Sequence, residues 1–461
     1  MSTSNSDVIG IVVVARHGDR QGFYQDPDAY TASATSITPL GEQQEFELGS
    51  LIRSQYLTSS SPSFIRNIST GLFDQTQVAV RADAGGEGGV IFDSAVALLQ
   101  GLFPATRLSN TTLANGQVVT SPLGGYQYVP IESVEPNQDV SLEGYTSCNT
   151  FAKRNNAFYD SPEFLAKAKE SESFLEQLQP HLDGRNATLE NMWNIFDYMN
   201  VQSIHNKTFA DNLPPTFLAQ ARALANYHEY GVFTDNTLGG IGNIAGTAIM
   251  PSLLTAFQRI ANQSDPLKLH YSATAYKPLL SLFNMTGVVA NGELPAAIVN
   301  YAAGIVFEVR RTAGSSEPVI RFTFKNGTDD ATFKPHPMSF PGFTGTPDNT
   351  DAPLSAFVNA FAPVGINTTL QWCNVCNQTS ARGCAALLAG SAGQPFQVTS
   401  PHGHAVSPVG AGFIGAGVTI VVMSALVALA LAVGLLSLGK KGRKVSRPEQ
   451  GSESSIQNLK F

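Results

Sequence analysis

The amino-acid sequence predicts an α/β fold, with a mostly α-helical lobe inserted into its core and a transmembrane helix appended near the C-terminus. Three observations carry this expectation. Residues 12–15 are Val-Val-Val-Ala, which reads as a buried strand, and the run stops abruptly at Arg16-His17-Gly18-Asp19-Arg20. Strand-like and helix-like segments alternate on both sides of a long stretch with helical spacing. The chain has 461 residues, 43% of them hydrophobic, too many for one minimal domain and enough for a sizeable core.

The end of the first strand is the candidate site. Gly18 permits a sharp turn there, and ligands of open α/β sheets bind beyond the carboxyl ends of strands. Arg16, His17 and Arg20 therefore stand where a small ligand would bind. Two guanidiniums supply bidentate forks suited to phosphate. A neutral imidazole between them is placed to attack phosphorus, with the developing charge already neutralised. This string resembles the signature of the histidine acid phosphatase branch of the histidine phosphatase superfamily, which includes acid phosphatases and phytases. The resemblance implies a phosphoglycerate mutase-like three-layer core with a mixed central sheet. It also implies catalysis through a phosphohistidine, with His17 as nucleophile and Arg16 and Arg20 as the phosphate clamp. No cofactor and no metal are implied, because the arginines neutralise the phosphate.

In order, residues 36–56 read as a helix with Thr38 as N-cap and Pro39 at the first position. Leu40, Phe46, Leu48, Leu51 and Ile52 are its expected buried face. Residues 77–81 read as a short strand and 92–103 as a helix ended by Pro104. Thr38-Pro39-Leu40-Gly41, Leu48-Gly49, Arg53-x-x-Tyr56 and Ser94-Ala95 extend the resemblance. Residues 161–178, 187–204 and 215–230 show helical spacing, inside a lobe expected over about 105–235. Residues 239–262 return helically to the core, 267–273 form a strand, 304–311 and 319–325 form a strand pair, and 355–361 form a short helix.

Two departures stand out against the family pattern. The loop 82–89 (Ala-Asp-Ala-Gly-Gly-Glu-Gly-Gly) carries no arginine where the family holds one on the phosphate; Gly89 or Val90 stands there, and Arg81 is the only arginine nearby. The loop reads first as a flexible connection. The family's Ser-Ala-His-Asp is Ser272-Ala273-Thr274-Ala275 here, which removes a phosphate-binding histidine and the acid that protonates the leaving alcohol. Asp19 is the expected stand-in acid, with Asp83 and Glu87 as weaker candidates. Arg81 and the Thr274 hydroxyl are expected to contact phosphate, and His270 reads as an ordinary strand histidine.

The remaining features concern the compartment. The net charge of −8 argues against a nucleic-acid partner. Residues 410–439 contain no charge, so a span over 413–438 is long enough to cross a bilayer. Lys440, Lys441, Arg443 and Lys444 follow and place the tail, 439–461, in the cytosol. Nine Asn-x-Ser/Thr sequons, at Asn67, Asn110, Asn186, Asn206, Asn262, Asn284, Asn326, Asn367 and Asn377, all precede the span. So do Cys148, Cys373, Cys376 and Cys384, which fit two disulfides in any of three connectivities; a metal or redox role for Cys373-x-x-Cys376 is the lesser reading. Residues 1–7 are polar and show no signal peptide, so one is expected to be missing from the chain as given; a tail anchor is the opposing reading. The expected organisation is an ectodomain over 8–384, a Gly/Ala/Ser/Pro-rich stalk over 385–412, the span, and the tail. The ectodomain is expected outside the cell or in a lumen.

The expected function is a membrane-anchored acid phosphatase acting on phosphate monoesters, with weakened or specialised activity. The alternative is an inactive ectodomain of the same fold that binds phosphorylated or acidic ligands or a protein partner.

Overall fold

The computed structural model describes residues 6–22, 35–312 and 314–392. The chain divides into two compact units, Met1–Gln394 and Pro395–Phe461. The expected span at 413–438 and the tail lie outside the described residues; among the described residues no helix is long and apolar enough to cross a membrane.

Strand β1 (Ser6–Arg16) runs through the middle of a mixed sheet. On one side it pairs in parallel with β4 (Leu269–Thr274), which pairs in parallel with β2 (Val78–Asp83), and β2 with β3 (Glu132–Val134). On the other side it pairs antiparallel with β5 (Gly304–Thr312), followed by β6 (Pro318–Lys325) and β7 (Asp351–Pro353), also antiparallel. A buried β1 must be apolar on both faces, and its residues alternate accordingly. Ile11, Val13 and Ala15 pack with Leu48 and Ile52 of α1 (Pro39–Tyr56) and Ile91 and Leu98 of α2 (Gly88–Leu102). Val12 and Val14 pack with Leu253 and Phe257 of a helix spanning Ile244–Ala261. These are the three layers.

Helix α1 starts where expected, with the Thr38 hydroxyl accepting from the Gly41 amide and Pro39 in the first turn. Its buried face differs from the expectation: Leu40 and Phe46 are exposed, and Gly41, Glu45, Leu48, Gly49, Ile52 and Tyr56 are buried. The cause is α2, whose backbone crosses so closely that a Cβ on Gly49 would lie 1.9 Å from the Leu98 carbonyl. Small residues, not large ones, mark this contact. Helix α2 starts four residues earlier than expected, with Glu87 at its N-cap, so half of the expected flexible loop is strand or helix.

The lobe begins later than residue 105, because β3 belongs to the main sheet. Four of its helices are α3 (Asn149–Tyr159), α4 (Pro162–Leu178), α5 (Met192–His205) and α6 (Phe217–Val232). Phe164, Leu178, Met192, Ile195 and Leu224 give the lobe its own core.

Disulfides join Cys148 to Cys376 and Cys373 to Cys384, so Cys373-x-x-Cys376 is neither a redox pair nor a metal site. Between them, Trp372 is fully buried and donates to the Gly144 carbonyl. The segment Cys384–Ser391 is helical where the composition reads as stalk; Cys384 pins its first turn, and its Ala-Ala-Leu-Leu run favours helix. Asn67, Asn110, Asn186, Asn206, Asn262, Asn367 and Asn377 are exposed. Asn284 is not; its amide is held by Asp235 and Asn243.

Candidate active site

The carboxyl end of β1 delivers Arg16 and Arg20 to one cleft between the sheet and the lobe, with His17 buried behind Glu87 at its wall. The turn is held by close approach: a Cβ on Gly18 would sit 2.4 Å from the Gly41 carbonyl of α1. That contact, rather than an unusual backbone angle, is what requires glycine. The Gly18 amide donates to the Ser94 hydroxyl of α2 (3.1 Å), and the Asp19 amide to the Gln44 side chain (2.9 Å). The His17 amide donates to the Thr274 carbonyl of β4 (3.1 Å).

His17 is 1% exposed. Its Nδ1 lies 2.8 Å from the Gly18 carbonyl, which can only accept. This fixes the ring proton on Nδ1 and turns Nε2 toward the cleft. Nε2 lies 2.8 Å from an Oε2 of Glu87. Burial lowers the imidazole below its ordinary value; Glu87 opposes that shift, and Arg16 and Arg20 add to it. Arg16 donates to the Val299 carbonyl and lies over the rings of Tyr301 (4.4 Å) and Tyr276 (5.0 Å). Arg20 forks onto both Glu87 oxygens (3.0 and 3.3 Å) and reaches Asp197 of α5 (3.1 Å). Burial alone would raise the Glu87 carboxyl, but Arg20 and His17 hold it well below the usual carboxylate range. Glu87 is thus an ionised carboxylate bridging the His17 ring and the Arg20 guanidinium.

The cleft encloses a cavity of about 230 Å³. The core lines it with Arg16, Arg20, Glu87, Lys277 and Tyr301, and the lobe with Trp193, Phe196, Asp197, Asn200 and Arg222. Arg222 donates to the Asn300 side chain and, beside Arg16, is lowered by burial and by that neighbouring charge. Lys277 stands in the first turn of the helix Tyr276–Met285, its ammonium over Tyr145 (4.9 Å). Among the described residues no cluster of His, Cys, Asp or Glu could hold a metal ion.

The other expected site residues go elsewhere. Asp19 is fully buried, but its carboxylate accepts from the Thr38 hydroxyl and lies 2.8 Å from Nε2 of His205, at the end of α5. The lobe has drawn it out of the cleft. Arg81 pairs with Glu132 and Asp139 and donates to the Ser252 hydroxyl (2.8 Å), lining a separate groove with His270. It points away because residues alternate along β2. Thr274 ends β4 beside Arg16, but its buried hydroxyl has no hydrogen-bond partner among the described residues and does not line the cleft. His270 bonds the Ser272 hydroxyl (3.1 Å), as an ordinary strand histidine does.

Glu87 is the residue the sequence undervalued. Lys277 had a local signal, since it follows the end of β4 by three positions. Arg222 and Asp197 had none, because nothing local ties a lobe helix to the strand ends.

A model of the family "Histidine phosphatase superfamily (branch 2)" matches residues 21–325. The chain is 26% identical over 366 residues to prostatic acid phosphatase of Bos taurus, covering 77% of this chain and 84% of that protein. It is 23% identical over 365 residues to lysosomal acid phosphatase of Homo sapiens, covering 77% of each. Among solved structures it is similar to a phytase of Klebsiella sp ASR1, with a TM-score of 0.55 and 14% identity over 79% of this chain and 98% of that one. A Hafnia alvei phytase gives a TM-score of 0.54 at 13% identity, covering 82% and 99%.

Proposed function

The chain belongs to the histidine phosphatase superfamily, branch 2, and from that premise we propose that it hydrolyses phosphate monoesters through a phosphohistidine on His17. The observation that carries this reading is the His17 ring: buried, with Nδ1 committed to the Gly18 carbonyl and Nε2 facing Glu87, which with Arg16 and Arg20 lines the cleft. Nε2 donates its electron pair to phosphorus as the ester oxygen leaves. Arg16 and Arg20 hold the non-bridging oxygens, where fixed positive charge stabilises the transition state most. Water then cleaves the N–P bond and releases phosphate. Lys277 and Arg222 supply positive charge in place of the family's missing arginine and histidine. Arg81 takes no part in holding phosphate, since it is paired with Glu132 and Asp139, and Asp19 is held by Thr38 and His205. The relatives named acid phosphatase support this reaction class.

We also read the protein as a secreted-side domain on a single membrane anchor. Both disulfides suit an oxidising compartment, the exposed sequons suit glycosylation, and the uncharged run 410–439 followed by basic residues suits a span with a cytosolic tail.

The test uses the full chain in detergent, on an aryl phosphate and an alkyl phosphate at acidic to neutral pH, beside His17→Ala. Turnover lost by about a thousandfold or more in the variant, with acid-labile phosphate trapped on wild type only, is the expected result. Equal inactivity of both proteins refutes hydrolysis and leaves the binding role.

A further inference from the structure

The cleft contains an anion already. A phosphorus atom must come within about 3–3.5 Å of His17 Nε2 to be attacked, and Glu87 Oε2 lies 2.8 Å from that nitrogen. The two Arg20 groups that would fork onto a phosphate fork onto Glu87 instead, at 3.0 and 3.3 Å. Glu87 and a bound phosphate therefore exclude one another. The carboxylate stands at the N-cap of α2, with Gly85 and Gly86 before it and Gly88 and Gly89 after it. Gly89 has no heavy atom within 4 Å of where a Cβ would be. Gly85 and Gly86 are held by Asp83 and Glu143, so the re-aiming is a rotation of the Glu87 side chain about its own bonds, on the open side that Gly89 leaves.

Among the described residues, proton sources near His17 are few. The family's acid is Ala275 here, and Oδ2 of Asp19 is held by Thr38 and His205, while its buried Oδ1 has no partner among the described residues and Asp19 does not line the cleft. Asp197 lines the cleft but is bonded to Arg20 and not to His17. Of the carboxylates lining the cleft, Glu87 is the one in contact with the reacting nitrogen.

We propose that Glu87 is a catalytic residue with two positions: it rests on His17 and Arg20 in the empty enzyme, and when a phosphomonoester displaces it, it becomes the acid for the leaving alcohol. This deepens the phosphatase reading and rests on it. Displacement favours protonation, and the proton comes from the monoanion of the bound phosphomonoester. The carboxylate loses Arg20 and His17, the groups that keep it ionised, and gains an anionic phosphate as neighbour. His17 loses the group that opposes its neutral form. In the chemical step the Nε2–P bond forms and the P–O ester bond breaks. The Glu87 proton goes to the departing oxygen, giving the alcohol, phosphohistidine and a carboxylate. Water then attacks phosphorus, the N–P bond breaks, both hydrogens of the water leave on the released phosphate, and Glu87, already ionised, returns to Arg20.

The experiment compares wild type with Glu87→Gln on p-nitrophenyl phosphate, on glycerol phosphate and in binding of inorganic phosphate. An acid matters for an alkoxide and little for a nitrophenolate, and general acids contribute about 10²–10⁴-fold. The expected result is loss of glycerol phosphate turnover by about a hundredfold or more, nitrophenyl phosphate turnover within about fivefold, and phosphate bound about tenfold more tightly. Glu87→Ala with added formate should recover part of the alkyl activity, which a structural role would not allow. Equal effects on both esters, or an unchanged phosphate affinity, overturn the proposal. Should Glu87→Gln fail to fold, Glu87→Asp is judged by the same comparison. Wild-type turnover that depends on His17, with a flat Glu87 response, would reject this inference alone; absence of any wild-type turnover would reject the phosphatase reading with it.

Discussion

Replacing Asp83 by Asn should change how stability depends on pH. Asp83 ends β2 and is 1% exposed. One of its oxygens accepts from the Gly85 amide (3.0 Å), and the other has no partner among the described residues. The Glu143 carboxylate packs over Gly85 and accepts from the Gly86 amide (3.1 Å). Burial first, and then the Glu143 charge, push the Asp83 carboxyl from 3.8 up to about 8. The folded protein therefore keeps a proton on Asp83 that the unfolded chain has lost above pH ~4. A state that binds more protons is favoured by acid, so this group's contribution is fully present below pH ~4 and is lost as pH rises toward about 8. At ~1.36 kcal/mol per pH unit, the ceiling over that window is ~6 kcal/mol, and between pH 5 and pH 7.5 it is ~3.4 kcal/mol. Unfolding entropy is ~2 cal/mol/K per residue. For a unit ending at Gln394 this converts to a fall in Tm of about 4 °C between those pH values. Asn mimics the protonated acid, accepting from Gly85 and offering an amide hydrogen toward Glu143, and it does not titrate. Melting curves by differential scanning calorimetry at pH 5, 6, 7 and 7.5 should show wild type losing about 4 °C more than Asp83→Asn. Parallel curves for the two proteins would refute a buried proton on Asp83.

Two further substitutions test the cleft. Lys277→Met removes a cavity-lining ammonium and should lower kcat/KM on an aryl phosphate by about tenfold, with Lys277→Arg recovering most of it; steady-state kinetics decide, and an unchanged kcat/KM would exclude Lys277 from the phosphate's surroundings. Asp19→Asn should cost about 1–3 kcal/mol of stability, because a buried carboxylate loses its charge-assisted bonds to Thr38 and His205. Its activity on glycerol phosphate should stay within severalfold of wild type, and a hundredfold loss there would return Asp19 to the role of acid.

The residues that local physics could place were placed by the chain alone. Residues 12–15 are apolar on both faces, and only a strand covered on both sides satisfies that, so the centre of the sheet was legible. The Arg16–Arg20 string follows that strand without a gap, which put Arg16, His17 and Arg20 at its carboxyl end whatever the rest did. Thr38 and Pro39 announced the start of α1 through capping chemistry that spans only a few residues. What tertiary structure decided is where side chains distant in sequence meet. Asp19 looked like an acid from its neighbours, but the end of α5, far along the chain, offers it His205 and takes its carboxylate from the cleft. Arg81 looked like a clamp, but its place on β2 turns it toward Glu132 on the next strand. The packing of α1 against α2 made glycines the buried residues and left Leu40 and Phe46 outside. Pairing of the four cysteines was open among three choices until Trp372 and its neighbours were buried against Gly144. Above all, the glycine-rich turn read as a slack loop, because glycine permits many conformations and selects none. Folding selects one, and it sets the Glu87 carboxylate against His17 and Arg20, 70 and 67 residues away along the chain. Backbone preferences are local and can be read from sequence; which carboxylate meets a buried histidine and arginine is set by long-range packing and cannot.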